Sequence, residues 1–128
     1  MNKLVIDVTS EKIFLMIITK NEIYNITKDN TKINYEKLTL IIKEFLNLNS
    51  LKLENISKIY VNRGPGSFAG IRNSLSIVKG FNVARKVDYY CYSFEDFTDQ
   101  KDIKYEDIPN LCDKFKIKKN LIKPIYLS

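Results

Sequence analysis

The first thirty residues alternate between apolar and polar stretches on the scale of β-strands. Apolar runs cover residues 3–9, 12–19 and 22–28, and they are separated by two-residue polar turns. Strands joined by turns this short pair in antiparallel fashion. The pattern therefore predicts a three-stranded antiparallel meander at the start of the chain.

The spacing of apolar residues lengthens after the meander and becomes helical. Residues 35–49 carry apolar side chains at intervals of three and four, with Asn34 as the expected N-cap. Leu40 lies off this stripe, which indicates a second apolar contact. A strand over 58–62 and a helix over 68–85 follow. The last regular elements predicted are a strand over 87–92 and a short helix over 106–115.

The order of these elements predicts an α/β domain. A strand that follows one helix and precedes another is typical of parallel pairing through a crossover. Five strands and two long helices thus predict a mixed five-stranded sheet with helices on one or both faces. The last residues, 124–128, are apolar enough to dock on that sheet.

Composition excludes several kinds of chemistry. The protein has no histidine, and its two cysteines, Cys91 and Cys112, lack chelating spacing, so neither a zinc site nor histidine acid–base catalysis is expected. Cys91 alternates with aromatic residues, as a buried strand thiol does. The longest apolar runs are too short to span a bilayer, and Asp7 interrupts the N-terminal one. We therefore expect a cytoplasmic protein without a membrane segment.

Positive charge is concentrated near the end of the chain. The net charge is +6, and such an excess favours encounters with anions, including RNA. We interpret the tail as a solvated surface rather than a dedicated RNA site, because no aromatic RNA-binding motif accompanies the lysines. Those lysines are Lys114, Lys116, Lys118, Lys119 and Lys123.

The segment Arg-Gly-Pro-Gly-Ser at 63–67 joins a predicted strand to a predicted helix. Pro65 and Gly66 suit the central positions of a type II turn, and Ser67 suits the N-cap of the helix. A tight structural turn is the favoured interpretation, because the lysine of a Walker A loop is missing. The alternative is an anion site at the helix N-terminus, formed by Arg63, Gly64, Gly66, Ser67 and Arg72.

The helix over 68–85 has two distinct faces. One is an apolar stripe, and the other carries small residues four positions apart, where a second helix could pack closely. Gly80 in mid-helix is costly unless such packing offsets it. The packing helix could belong to this chain, to a second copy or to another protein. The small residues are Gly70 and Ser74 in one row, and Ser76, Gly80 and Ala84 in another.

Residues 62–72, Asn-Arg-Gly-Pro-Gly-Ser-Phe-Ala-Gly-Ile-Arg, with the following Ser74-Leu75-Ser76 and Lys79-Gly80, resemble the signature of the TsaB (YeaZ) family. The opening residues 4–10 and the ending 124–128 resemble the family's termini. Family members are usually longer and contain two lobes of an actin-like, ribonuclease-H-like fold. The resemblance implies an actin-like N-lobe over 1–95 and a reduced remnant of the second lobe over 96–128.

The resemblance also implies a function. Family members act in making N6-threonylcarbamoyladenosine at position 37 of tRNA, as non-catalytic scaffolds that bind the catalytic TsaD subunit. A TsaE-like ATPase joins the complex, and tRNA is engaged indirectly. No catalytic residue, metal or cofactor is implied. On this mapping the candidate partner interface is Leu38, Ile41, Ile42, Phe45, Ser74, Leu75, Val78 and Phe81.

Two alternatives remain open beside the scaffold. One is a phosphate- or nucleotide-binding module, and the other is a homodimer that uses the same helices. A hydrolytic enzyme is disfavoured, because the carboxylates Asp7, Glu11, Glu95 and Asp96 have no evident partner geometry. Asp7 either corresponds to the first phosphate-loop acid of the ATPase superfamily or is buried in local hydrogen bonds.

Overall fold

A five-stranded mixed sheet forms the centre of the protein, whose computed structural model describes residues 1–127. The strand order is β3-β2-β1-β4-β6. The first three strands are antiparallel, and β1, β4 and β6 are parallel, which confirms the predicted meander and crossover. The strands are β1 (Asn2–Asp7), β2 (Lys12–Ile18), β3 (Ile23–Asp29), β4 (Ile56–Asn62), β5 (Gly66–Ser67), β6 (Asp88–Tyr92) and β7 (Tyr126–Leu127).

Four helices accompany the sheet: α1 (Lys32–Glu36), α2 (Leu38–Leu48), α3 (Phe68–Arg85) and α4 (Ile108–Lys114). The single helix predicted over 35–49 is divided at Lys37, and its expected N-cap at Asn34 is wrong. Thr31 is the N-cap, because its hydroxyl accepts from the amide of Asn34, while the Asn34 side chain donates to the carbonyl of Asp29.

The central strands of the sheet are buried on both faces, whereas the edge strand β3 is largely exposed. The alternating side chains of β1, β2 and β4 form one cluster with α2 and α3 on one side. The opposite face carries a second cluster that is covered by residues after β6, so helices lie on both faces. This second cluster contains Val5, Met16, Tyr60, Tyr92, Phe97, Ile108, Leu111 and Cys112.

The end of the chain does not dock on the five-stranded sheet as predicted. Instead β7 pairs in parallel with β5, beside the glycine-rich segment. The amide of Ile125 donates to the carbonyl of Arg63 at 2.7 Å, which extends this contact. Short-range pattern does not reveal such a pairing, because its two strands lie about sixty residues apart. Ser128, the last residue of the predicted docking segment, lies outside the described residues.

No helix in the described part of the chain is both long and apolar enough to cross a membrane.

Both cysteines are buried, which confirms the interpretation of Cys91 as a core thiol. Burial raises the pKa of the Cys91 thiol to about 12 and that of Cys112 likewise to about 12. Because the thiolate is the reactive form, neither thiol should react with an aromatic disulfide reagent at mildly alkaline pH in the folded protein. Absorbance should report both thiols only after denaturant is added. Rapid reaction of the native protein would contradict this burial.

Candidate functional site

The carboxyl ends of β1 and β4 place Asp7 next to Asn62, because neighbouring parallel strands end at the same edge of the sheet. Each residue is only 2% exposed. Asn62 Nδ2 donates to Asp7 Oδ2 at 3.0 Å, and the amide of Gly64 donates to Asn62 Oδ1 at 2.9 Å. The Asn62 side chain thus connects the carboxylate to the glycine-rich segment.

The Asp7 carboxylate uses all of its hydrogen-bonding capacity within the chain. Oδ1 accepts from the amide and the hydroxyl of Thr9, at 2.9 and 2.6 Å. Oδ2 accepts from Asn62 and, at 2.7 Å, from the Tyr105 hydroxyl. The Tyr105 ring also stacks on Phe14, with centroids 3.9 Å apart. An ionised carboxylate offers about four acceptor sites, and all four are used here.

An actin-like fold implies a nucleotide and its metal ion between two lobes, with a carboxylate of the first strand facing them. The residues present do not fit that group. Asp7 is buried and saturated by donors of its own chain. Tyr105, from the segment that covers the second face of the sheet, holds one of its oxygens. Of the two interpretations of Asp7, the structure shows the local hydrogen-bonded one.

The prediction of a type II turn is wrong, because the glycine-rich segment has a different backbone geometry. Gly64, not Gly66, has a positive φ, of +118°, and the Gly64–Pro65 peptide is cis. A Cβ at Gly64 would lie 2.0 Å from the Ile125 carbonyl oxygen, so the C-terminal segment requires glycine there. Gly66 is held in an extended conformation by its pairing with β7.

The two arginines predicted to flank an anion both have contacts within the chain. Arg63 makes a two-point contact with Asp96, at 2.5 Å from Nη2 and 3.3 Å from Nε, and its Nη1 donates to the Lys123 carbonyl at 3.1 Å. Its side chain is only 14% exposed. Arg72 lies over the ring of Phe68 at 5.7 Å. Arg63 therefore ties β4 to the C-terminal segment.

Ser67 precedes α3 as its N-cap, where it was predicted. Within the described residues its side chain makes no capping hydrogen bond, so its backbone alone marks the helix start. Gly70, one turn later, closely approaches Val8, the residue after β1, because a Cβ there would lie 3.0 Å from the Val8 carbonyl oxygen.

The residues predicted as a partner interface lie in the chain's own core, which corrects that prediction. The apolar stripe of each helix packs against the sheet, as an amphipathic helix requires. The eight buried residues, all 9% exposed or less, are Leu38, Ile41, Ile42, Phe45, Ser74, Leu75, Val78 and Phe81.

The outward faces of α2 and α3 carry residues that were not placed in the predicted interface. Leu40 is 52% exposed and Val83 is 75% exposed. Ser76, Gly80 and Ala84 are exposed beside Val83, so the second row of small residues lies on the surface. Apart from the neighbouring backbone of its own helix, a Cβ at Gly80 would meet no atom of residues 1–127 within 4 Å. The helical period of α3 could have identified Val83, since it lies opposite the buried stripe.

Comparison with known proteins finds similar proteins whose names refer to the threonylcarbamoyladenosine modification of tRNA. A family model described as TsaD, tRNA N6-adenosine threonylcarbamoyltransferase, matches residues 30–93, half of the chain. The protein named tRNA threonylcarbamoyladenosine biosynthesis protein TsaB from Buchnera aphidicola subsp. Baizongia pistaciae (strain Bp) is 33% identical over 69 residues, which are 54% of this chain and 31% of the relative. The TsaB protein of Buchnera aphidicola subsp. Schizaphis graminum (strain Sg) is 26% identical over 87 residues, 68% of this chain and 41% of the relative.

Solved structures agree with this similarity at the level of fold. YeaZ from Pseudomonas aeruginosa superposes with a TM-score of 0.67 at 20% identity, over 72% of this chain and 43% of that protein. At that identity the likeness shows the fold, and the actin-like fold class that the family resemblance implied is confirmed. The chain matches less than half the length of each of these three proteins.

Proposed function

Because this chain belongs to the family that the TsaD model describes and, within it, to the TsaB (YeaZ) proteins, we propose that it is a non-catalytic scaffold subunit in tRNA threonylcarbamoyladenosine biosynthesis. It works in the cytoplasm by binding a TsaD-like catalytic subunit, while a TsaE-like ATPase joins the complex and tRNA is engaged indirectly. Residues 1–95 act as the N-lobe, and residues 96–128 stand in for the second lobe.

The single observation that carries this proposal is the extent of the family match. Residues 30–93 include α1, α2, β4, the glycine-rich segment and α3. The same stretch supplies the outward faces of α2 and α3, which no other element of the described chain covers at Leu40 and Val83. A scaffold needs such a surface for its partner.

Gly80 supports docking of a helix on α3. A glycine in a helix interior costs about 1 kcal/mol relative to alanine. The predicted compensation by close packing does not come from this chain, since the space beside Gly80 is open in the described structure. A partner helix whose backbone approaches there would supply it.

The side chains of Asp7 and Arg63 are already engaged in hydrogen bonds and an ion pair within the chain, and this supports a role without catalysis. Each charged group is committed to partners that hold the fold together. The chain also has no histidine, the commonest general base near neutral pH. Binding, rather than proton transfer, is the activity that these groups support.

Gly80→Leu should weaken binding to the TsaD-like subunit by about tenfold or more, because the added side chain fills the space that the partner helix needs. Isothermal titration calorimetry with both folded proteins measures this. Asn110→Leu is the matched control, since Asn110 is exposed on α4, a different helix, and should bind as the wild type does.

Two results would refute the scaffold proposal: no complex between the folded wild-type proteins at micromolar concentration, or equal affinities of Gly80→Leu and wild type. Light scattering of the chain alone tests the homodimer alternative, which would use the same outward faces. A dimer that Gly80→Leu dissociates, with no heterocomplex formed, would favour that alternative.

A further inference from the structure

A groove lies between the C-terminal ends of α2 and α3, and we call it the terminal groove. It has a volume of about 620 Å³. Its apolar floor combines Leu46 and Phe81, which are 1% and 9% exposed, with the partly buried Leu51 and Leu53. A volume of this size falls in the range, roughly 300–1,000 Å³, of pockets that bind small ligands.

The rim of the terminal groove is predominantly cationic. Lys43, Lys52 and Arg85 contribute three positive charges and Glu54 one negative charge, which leaves a balance of +2. None of these four forms an ion pair within the described chain, where the salt bridges lie elsewhere. Cations are favourable near helix C-termini, but three unpaired ones around an apolar floor also create a positive potential that faces outward.

The terminal groove is continuous with the outward face of α3. Ala84 lines the groove and is also the last member of the exposed row of small residues that contains Gly80. A helix lying along that row would therefore reach the groove with one of its ends or with the segment that follows it. The groove is thus positioned to add to the same contact.

We propose, on the premise of the scaffold function, that the terminal groove takes an acidic segment of the TsaD-like partner, with a bulky apolar side chain on the floor and carboxylates facing Lys43 and Lys52. The apolar floor selects against a free inorganic anion, because such an ion would leave the floor in water. The cationic rim selects against a purely apolar segment and directs the acidic one during association.

The test compares two double charge reversals. Lys43→Glu with Lys52→Glu should weaken the complex by about tenfold or more and reduce its dependence on salt, because the attraction is replaced by repulsion. Lys28→Glu with Lys118→Glu makes the same change of charge at exposed sites outside the groove and should alter affinity little. Circular dichroism melting confirms that each variant is folded.

A second variant fills the groove without changing its charge, and because Ala84 also belongs to the row of small residues, its loss of affinity supports the groove only together with that of the charge reversal. Ala84→Trp fills the groove from an exposed helical position, so it should abolish the contribution of the groove while the melting temperature stays close to that of the wild type. Affinities are measured by calorimetry at low and at physiological salt. Decanoate, added to the chain alone, serves as a small amphiphilic probe of the same site.

The outcomes separate the two proposals. If the wild-type chain forms no complex, the scaffold function and the groove assignment both fail. If the complex forms and is sensitive to Gly80→Leu, but both double reversals and Ala84→Trp bind as the wild type does, the groove assignment alone is overturned. Saturable binding of decanoate that Ala84→Trp removes, with the complex unaffected, would assign the groove to a small amphiphile instead.

Discussion

Replacing Asp7 with alanine should lower the free energy of unfolding by about 3–5 kcal/mol, because one buried donor and three partly buried donors lose their acceptor at once. The carboxylate accepts from Thr9, Asn62 and Tyr105, which belong to three distant parts of the chain. Each donor left unsatisfied in the interior costs about 1–3 kcal/mol. The loss should therefore exceed that of an ordinary surface substitution several-fold.

Urea denaturation followed by circular dichroism measures this loss as a shift in the midpoint at constant slope. Tyr105→Phe is the matched control, since it keeps the ring stacked on Phe14 and removes one hydrogen bond, and it should cost about 1 kcal/mol. If Asp7→Ala costs no more than Tyr105→Phe, the carboxylate does not hold these segments together.

Gly64→Ala should destabilise the protein by about 2–4 kcal/mol, for two separate reasons. The backbone has a φ of +118°, where a side chain is strained. The new Cβ would also fall 2.0 Å from the Ile125 carbonyl oxygen, and this contact is to backbone that cannot rotate away. The clash should release β7 from β5 before the main sheet unfolds.

Gly80→Ala is the control for this prediction, because it should change the stability in the opposite direction. The space beside Gly80 is open in residues 1–127, so alanine should stabilise the free chain by about 0.5–1 kcal/mol through helix propensity. Urea denaturation of both variants shows whether the free energy of unfolding falls for Gly64→Ala and rises for Gly80→Ala. Limited proteolysis reports release of residues 125–127. Equal stabilities of Gly64→Ala and wild type would mean that the close approach to Ile125 is not required.

Local pattern was sufficient for most of the secondary structure. The meander, the helix over 68–85 and the short helix near 106–115 follow from spacing that is visible within a few residues. The N-cap of the first helical segment was misassigned, because Thr31 and Asn34 are both good capping residues. The choice depends on Asn34 finding the Asp29 carbonyl as its partner.

The glycine-rich segment shows where local reasoning fails. A type II turn was consistent with Pro65 and Gly66 taken alone. The observed conformation depends on the C-terminal segment, whose Ile125 requires a glycine at 64 and whose β7 keeps Gly66 extended. Sequence neighbours carry no information about a strand that arrives from the other end of the chain.

The order of strands and helices, the buried stripe on each long helix and the family signature at 62–72 were determined by the sequence itself, because each depends on residues within one or two turns of one another. Tertiary structure alone decided that this stripe is buried in the chain's own core and that Leu40, Gly80 and Val83 are among the residues left exposed. It also decided that the Tyr105 hydroxyl donates to the Asp7 carboxylate and that Asp96 forms an ion pair with Arg63. Those pairings join groups that are 98 and 33 residues apart, and only the packing of the second sheet face brings them within hydrogen-bonding distance.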